Sequence, residues 1–203
     1  MKVAGRPLVA WCVDAFATAA SIGRLVIAAP PGHEDELAAT VPEGVEAEVV
    51  AGGESRSESV ARALAAATSE LVAVHDAARP LVTAELIDAV LTRLVAEPDA
   101  AGVIAAAPIT DTVKRADRID PAGPPIAATE RRDHLWAAQT PQAFRAELLR
   151  RAHAVDAEQL AGATDDAMLI ESLGGTVLIE PAPRENLKVT TPADLRFAEL
   201  LLA

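Results

Sequence analysis

The sequence predicts an α/β fold: one domain over residues 1–203, built as a mostly parallel sheet with helices on both faces. Three observations lead there. Short apolar runs of strand length recur, among them Leu25–Ala29, Leu71–Val74 and Gly102–Ala107. Segments with apolar residues at helical spacing lie between them, and such β–α alternation is the pattern of a sheet covered on both sides. The composition is 51% hydrophobic but only 2% aromatic, with no Tyr, so the core has to be Leu, Val, Ile and Ala.

Pro7–Ala19 carries Leu8, Trp11, Cys12, Ala15 and Phe16 at helical spacing, so the chain is expected to open on a helix with no strand before it. Leu25–Ala29 is a buried strand closed by Pro30-Pro31-Gly32. Glu34–Thr40 follows as a short helix, and Glu48–Val50 as a strand running into Gly52-Gly53. Ser57–Ala67 is a helix with Val60, Ala63, Leu64 and Ala67 on its apolar face. After the strand Leu71–Val74, Thr83 caps a helix through Ala96 whose Ile87, Val90, Leu91 and Leu94 face inward. Gly102–Ala107 is another buried strand.

Residues 109–132 break the alternation. They are polar and charged, with Pro121, Pro124 and Pro125 near the middle and extended flanks at Ile109–Lys114 and Ile126–Arg131. This reads as a two-stranded arm projecting from the domain. An isolated hairpin is marginal in water, so the arm is expected to pack on a partner. The alternation resumes with a strand near Leu135–Ala138, the turn Thr140-Pro141-Gln142, helices at Ala146–Ala157 and Asp165–Leu173, and a strand at Thr176–Ile179. The last helix starts with Thr191 as cap, Pro192 at its first position and Asp194 in its first turn.

The formal net charge of −12 argues against non-specific nucleic-acid binding. Any phosphate-bearing ligand then requires a local cluster of basic groups. The apolar run Leu8–Val13 is too short for a signal-peptide core or a membrane span, so no membrane partner is expected. The single cysteine, Cys12, leaves no internal disulfide and suits a reducing, cytoplasmic setting.

The most informative stretch is His75-Asp76-Ala77-Ala78-Arg79-Pro80, directly after the strand Leu71–Val74. In open α/β sheets ligands bind at the carboxyl ends of strands. An Asp there can hold a metal ion and an Arg a phosphate. The same pair also fits an ordinary strand-end salt bridge. Gly52-Gly53-Glu54-Ser55-Arg56, with Ser59 beyond, leads into a helix N-terminus that offers free N–H groups to an anion or a base edge, or is a plain capped turn. Thr164-Asp165-Asp166 caps a helix. Lys188, in Asn186-Leu187-Lys188-Val189-Thr190, precedes a helix start that disfavours a cation, and an anion between the two would reconcile them. His33, His75, His134 and His153 show no ligand spacing, and no zinc, Walker-type or nucleophile-elbow pattern occurs. A site of Asp, Arg, Lys and Thr without an activated nucleophile suits phosphoryl or nucleotidyl transfer, which proceeds by positioning and charge neutralisation.

Taken in order, these segments resemble the 2-C-methyl-D-erythritol 4-phosphate cytidylyltransferase family. The pieces that carry the resemblance are Gly52-Gly53-Glu54-Ser55-Arg56 with Ser59-Val60, His75–Pro80, Asp111-Thr112-Val113-Lys114-Arg115, Thr140-Pro141-Gln142, Thr164-Asp165-Asp166-Ala167 and Asn186–Thr190. The resemblance implies a Rossmann-like nucleotidyltransferase fold and a homodimer built through the arm at 109–132. It also implies attack of the phosphate of 2-C-methyl-D-erythritol 4-phosphate on the α-phosphorus of CTP with release of pyrophosphate, and Mg²⁺ as cofactor. By position it sets Gly53, Glu54 and Ser59 near cytosine and Asp76 at the metal and ribose. Arg79, Thr112, Arg132, Thr140 and Thr164 fall on the substrate phosphate, Thr112 and Arg132 reaching across from the partner's arm. Lys188 falls on the transferring phosphate as a catalytic group with Asp76. The family often has Asp where Glu54 stands.

The family also begins with a strand and a loop of the pattern Ala-Ala-Gly-x-Gly-x-Arg, followed by a Pro-Lys pair. This sequence starts at Met1-Lys2-Val3-Ala4-Gly5-Arg6-Pro7, past that pattern. The resemblance therefore leads one to expect a domain truncated at its N-terminus, a shortened sheet and impaired activity. A ribitol-phosphate-type cytidylyltransferase and a non-catalytic dimerising remnant stand as alternatives.

Overall fold

A computed structural model describes residues 1–118, 120, 122–155, 160 and 162–202. In chain order, the first half comprises β1 (Lys2–Val3), β2 (Arg6–Pro7), α1 (Leu8–Thr18), β3 (Leu25–Ala29), α2 (Glu34–Ala38), β4 (Ala47–Ala51), α3 (Arg56–Ala66), β5 (Leu71–Val74) and α4 (Ala84–Ala96). The second half comprises β6 (Gly102–Pro108), β7 (Lys114–Ala116), β8 (Ile126–Thr129), β9 (Trp136–Arg145), α5 (Ala146–His153), α6 (Asp166–Ser172), β10 (Val177–Pro181) and α7 (Pro192–Leu202).

The main sheet has the order β10–β6–β9–β5. β10 runs parallel to β6, but β9 is antiparallel to both β6 and β5. A second sheet is the parallel pair β3–β4. The architecture is thus α/β, and the sheet is mixed rather than mostly parallel. The cause is β9, a ten-residue strand that enters the middle of the sheet after the arm. A strand returning from a hairpin-like excursion needs no crossover helix and can pair antiparallel.

Helices cover both faces. On one, Cys12, Val13 and Phe16 of α1 meet Ile87, Val90 and Leu94 of α4 over Val103 and Ala143. On the other, Leu149 of α5 and Ile170 of α6 pack on Ile104 and Phe144 with Leu64 of α3. All four α4 residues expected to face inward are buried. Each fully buried aliphatic side chain of this set contributes ~1.5–3 kcal/mol relative to exposure. The Thr83 hydroxyl accepts from the N–H of Leu86 at 3.3 Å, the expected cap. The cap on α7 also forms, as the Thr191 hydroxyl accepts from the N–H of Asp194 at 3.2 Å and the Asp194 carboxylate accepts from the N–H of Thr191 at 2.8 Å.

Three local readings change. The chain does not open directly on a helix: β1 and β2 form a small antiparallel hairpin first. Its two turn residues, Ala4 and Gly5, have φ of 46° and 77°, the left-handed pair that tight hairpins use. Thr140-Pro141-Gln142 is not a turn after a strand but lies inside β9. The β6–β9 register shifts between Ile104 and Ala106, and this bulge accommodates a proline that has no N–H for a ladder. Finally, α5 is assigned to His153, and residues 156 and 157 of the longer helix expected there lie outside the described residues.

The arm is a two-stranded antiparallel ribbon, with Lys114 opposite Thr129 and Arg115 opposite Ala128. Its strands are shorter than the extended flanks suggested, and Pro121 lies outside the described residues. Arg115 and Glu130 pair across it at 2.8 Å.

Among the described residues, β3 and β5 each have one edge without a strand partner. Both line one largely apolar cleft of about 1210 Å³, with Cys12 and Phe16 of α1 and Val60 and Ala63 of α3 as further walls.

Candidate functional site

The site is built where β5 ends, beside the bulge of β9. There Gln139, Thr140 and Pro141 leave the ladder, so Thr140 sits next to the His75–Asp76 segment. The N–H of Asp76 donates to the Thr140 hydroxyl at 3.1 Å. That hydroxyl lies 2.9 Å from Nδ1 of His75, and Nε2 of His75 lies 3.2 Å from the Arg79 carbonyl. The carbonyl can only accept, so the network assigns the proton to Nε2 and makes Nδ1 the acceptor for Thr140. Burial lowers the pKa of His75 to about 4, so the ring is neutral near neutral pH and acts as structural support. Thr140 is buried and its hydroxyl is engaged on both sides. In this arrangement Thr140 supports the turn that carries Asp76.

The Asp76 carboxylate meets two cations: Oδ1 accepts from Nε of Arg56 at 2.9 Å and Oδ2 pairs with Nζ of Lys188 at 3.0 Å. Burial disfavours its charge, but the hydrogen bonds from Arg56 and Lys188 outweigh that and hold the carboxyl below the usual carboxylate range. Lys188 therefore has the Asp76 carboxylate as its counterion within the chain. Its loop is fixed by backbone and side chain. The N–H of Val189 donates to the Ala78 carbonyl at 2.8 Å. Buried Asn186 donates to the Gln139 side-chain carbonyl at 2.8 Å and the Thr140 carbonyl at 2.9 Å.

Arg79 does not pair with Asp76. Its guanidinium donates to the Asn186 carbonyl at 2.9 Å, Nε is buried without a partner, and burial lowers its pKa. Its Nη2 donates to the Ala138 carbonyl at 3.4 Å, so the guanidinium is held between two main-chain carbonyls.

The glycine turn is shaped by close approach. The N–H of Gly52 donates to the Ala29 carbonyl at 2.7 Å, and a Cβ on Gly52 would lie 2.9 Å from that oxygen. A Cβ on Gly53 would come within 2.4–2.5 Å of the Glu58 side chain. The N–H of Gly53 donates to the Ser59 hydroxyl at 3.0 Å, and that hydroxyl donates to the Ser55 carbonyl at 2.9 Å. Ser55 caps α3, and the Glu58 carboxylate takes the N–H of Glu54 at 2.8 Å. The Glu54 side chain is exposed.

Thr112 and Arg132 are exposed on and beside the arm, the Arg132 guanidinium donating to the Thr110 carbonyl. Thr164 is exposed just before α6, whose cap is Asp165 rather than Thr164. None of the three hydrogen-bonds to the Asp76 cluster among the described residues. Asp165 accepts from the Gln142 amide at 2.9 Å, which ties the start of α6 to β9.

Sequence reading missed Arg56, Asp166 and His153 as one unit. Nη2 of Arg56 lies 2.9 Å from Oδ2 of Asp166, and Nε2 of His153 lies 2.9 Å from Oδ1. These contacts join α3, α5 and α6 and leave no local spacing to find. The one signal available was a second acidic residue directly after the cap.

Cys12 is no nucleophile, since burial pushes its thiol up to about 12. Among the described residues no cluster of three or more His, Cys, Asp or Glu side chains could hold a metal ion, so an ion bound by this chain would be held by fewer carboxylates, and Asp76 is one at a strand end. An ionised, partly open carboxylate suits Mg²⁺, which is commonly held by one or two carboxylates together with substrate phosphates.

Strand-end cations gathered in an acidic chain, a glycine turn at a helix N-terminus and a sheet covered on both faces fit a nucleotidyltransferase-class enzyme, the class to which the family match assigns the chain. Residues 1–203 match the family model described as 2-C-methyl-D-erythritol 4-phosphate cytidylyltransferase. The chain belongs to that family of cytidylyltransferases, enzymes of isoprenoid biosynthesis by the non-mevalonate route. It is 39% identical to the enzyme of that name from Acidobacterium capsulatum, covering 100% of this chain and 85% of the relative. It is 43% identical to that from Deinococcus radiodurans, covering 99% and 80%. The crystal structure of the Thermus thermophilus enzyme superposes with a TM-score of 0.80 at 35% identity, over 99% of this chain and 91% of that one. The 4-diphosphocytidyl-2C-methyl-D-erythritol synthase of Anaerococcus prevotii gives 0.85 at 28% identity, over 100% and 91%.

Proposed function

We propose that this chain joins CTP to 2-C-methyl-D-erythritol 4-phosphate. A phosphate oxygen of the polyol phosphate attacks the α-phosphorus of CTP and a new P–O bond forms. The bond from that phosphorus to the oxygen bridging to the β-phosphate breaks, and pyrophosphate leaves with the electron pair. The attacking oxygen is already anionic, so no general base is needed. The observation that carries the reading is the Asp76 carboxylate held ionised between Arg56 and Lys188, with Arg79 beside it.

Lys188 neutralises charge that builds on the transferring phosphate, and its half-exposed side chain can turn from Asp76 to do so. Arg79 binds the substrate phosphate. Gly53, Glu54 and Ser59 form the cytosine end, where Ser59 fixes the Gly53 main chain and Glu54 faces outward. Asp76 would hold Mg²⁺ with the nucleotide phosphates, and the ion would supply charge neutralisation at the triphosphate. Thr164 lies beside the Gln142–Asp165 contact and completes the phosphate side. Thr112 and Arg132 serve the active site of a second copy, the arm forming the homodimer. A reducing cytoplasm suits the free, buried Cys12.

The test is ³¹P NMR of the chain with CTP, Mg²⁺ and either 2-C-methyl-D-erythritol 4-phosphate or ribitol 5-phosphate. The expected result is a pyrophosphate-linked CDP product with the first acceptor. Turnover of ribitol phosphate alone overturns the substrate, and no product with either overturns the catalytic reading.

A further inference from the structure

Arg56 occupies the first position of α3, where the helix dipole disfavours a cation. Two carboxylates explain it. One edge of the guanidinium donates to Asp76 and another faces Asp166, each at 2.9 Å. Asp166 is 1% exposed and cannot reach anything bound in the open part of the site. A buried carboxylate has to be paired, and this one is: Oδ2 is paired with the Arg56 guanidinium by charge and proximity, without the alignment of a hydrogen bond, and Oδ1 contacts His153, whose side chain is itself buried. The result is a line of alternating partners, His153–Asp166–Arg56–Asp76–Lys188. It crosses α5, α6, α3, the end of β5 and the loop before α7.

We propose that Arg56 is a positioning residue for Asp76 and that Asp166, with His153 behind it, is the fixed anchor that orients Arg56. The inference rests on the reading of Asp76 as the nucleotide- and metal-side carboxylate. Arg56 holds Oδ1 and so leaves Oδ2, shared only with half-exposed Lys188, to face the ligand. The two-edged geometry needs a guanidinium, because a lysine ammonium is a single point charge that cannot span both carboxylates in fixed directions. Asp166 acts only through Arg56. Removing it frees Arg56 to swing and loosens Asp76, although neither Asp76 nor any substrate contact has been altered.

The experiment compares the full chain with Asp166→Asn, Arg56→Lys and His153→Gln. Mn²⁺ serves as the probe ion, its binding with CTP followed by electron paramagnetic resonance, alongside kcat, KM and thermal unfolding. A control removes a comparable ion pair elsewhere, Arg93→Gln at the 3.2 Å contact with Glu180. Asp166→Asn is expected to weaken Mn²⁺–CTP binding and lower kcat by ~10–100-fold, the range seen when partners behind a ligating residue are lost. Arg56→Lys should not rescue either quantity despite keeping the charge, and the Arg93 variant should lose stability alone. Should Asp166→Asn not fold, His153→Gln, which touches only the far oxygen of Asp166, is expected to move both quantities in the same direction by less. Variants that unfold earlier yet keep Mn²⁺–CTP affinity and kcat would show the line to be purely structural and overturn the inference. Wild-type chain that binds no Mn²⁺–CTP would instead overturn the reading of Asp76 itself.

Discussion

Asp76 and Arg79 share one turn, the N–H of Arg79 donating to the Asp76 carbonyl at 2.9 Å, yet their side chains turn to different partners. The carboxylate lies between Arg56 and Lys188, while the guanidinium lies on the Asn186 carbonyl. Had the two paired with each other, neither would be available to a metal or a phosphate. Each is instead held by groups from another element.

Lys188 is the cation of this group best placed to move. Replacing it with Met keeps much of the stem and removes the charge. Loss of one preorganised charge at a transferring group is expected to lower kcat by ~10²–10³-fold, with a smaller change in KM for CTP. Steady-state kinetics decide it; an unchanged kcat would remove Lys188 from the reaction.

The neutral His75 makes stability depend on pH. Its folded pKa of about 4 lies below the ordinary 6.5, so between those values the unfolded chain binds the proton and the native chain does not. Stability therefore falls as pH drops through this window, by up to about 1.4 kcal/mol per pH unit, and the slope ends once the native ring also protonates. Urea unfolding at pH 7, 6 and 5 measures it. His75→Gln should lower stability at pH 7 and flatten this part of the profile. An unchanged slope would assign it to other groups.

Gly53→Ala tests the glycine turn. The new Cβ would meet Cβ, Cγ and Cδ of Glu58 at 2.4–2.5 Å, so the start of α3 has to shift. Overpacking of this kind costs ~1–3 kcal/mol. The shift also moves the Gly53 N–H off Ser59, so KM for CTP should rise more than kcat falls. Calorimetry and kinetics together check the two halves of the expectation.

Much of the fold was legible because its signals are local. The α4 stripe of Ile87, Val90, Leu91 and Leu94, the caps at Thr83 and Thr191 and the arm all follow from spacing or from a capping residue. What failed needed tertiary information. Thr140-Pro141 carries the composition of a turn, and only the bulge opposite Ile104–Ala106 lets it stay inside a strand. Asp76, Arg79 and Lys188 drew attention from their positions at element ends. Their partners did not, because Arg56, Asp166, His153 and Asn186 meet from separate elements, and a polar residue that supports another looks like any polar residue in one dimension.

The arm yields the strongest test of assembly. It is a two-stranded ribbon, which is marginal alone, and it exposes Ile126, 65% accessible, on its short strand β8. An aliphatic side chain that open on a projecting ribbon suits a contact between two copies. Ile126→Asp should therefore convert a dimer to monomers in sedimentation velocity without unfolding the domain, and a wild-type chain that sediments as a monomer would remove the dimer reading. If the arm also brings Thr112 and Arg132 to the partner's site, Arg132 and Lys188 of one active site come from different chains. Arg132→Ala and Lys188→Met proteins would each be nearly inactive alone. Mixed in equal amounts and allowed to exchange, half the dimers would be hybrids with one intact site of two. Activity should then return to roughly a quarter of wild type, as two-fold symmetry requires. If both residues served the same site within one chain, mixing would restore nothing, because every site would carry a defect.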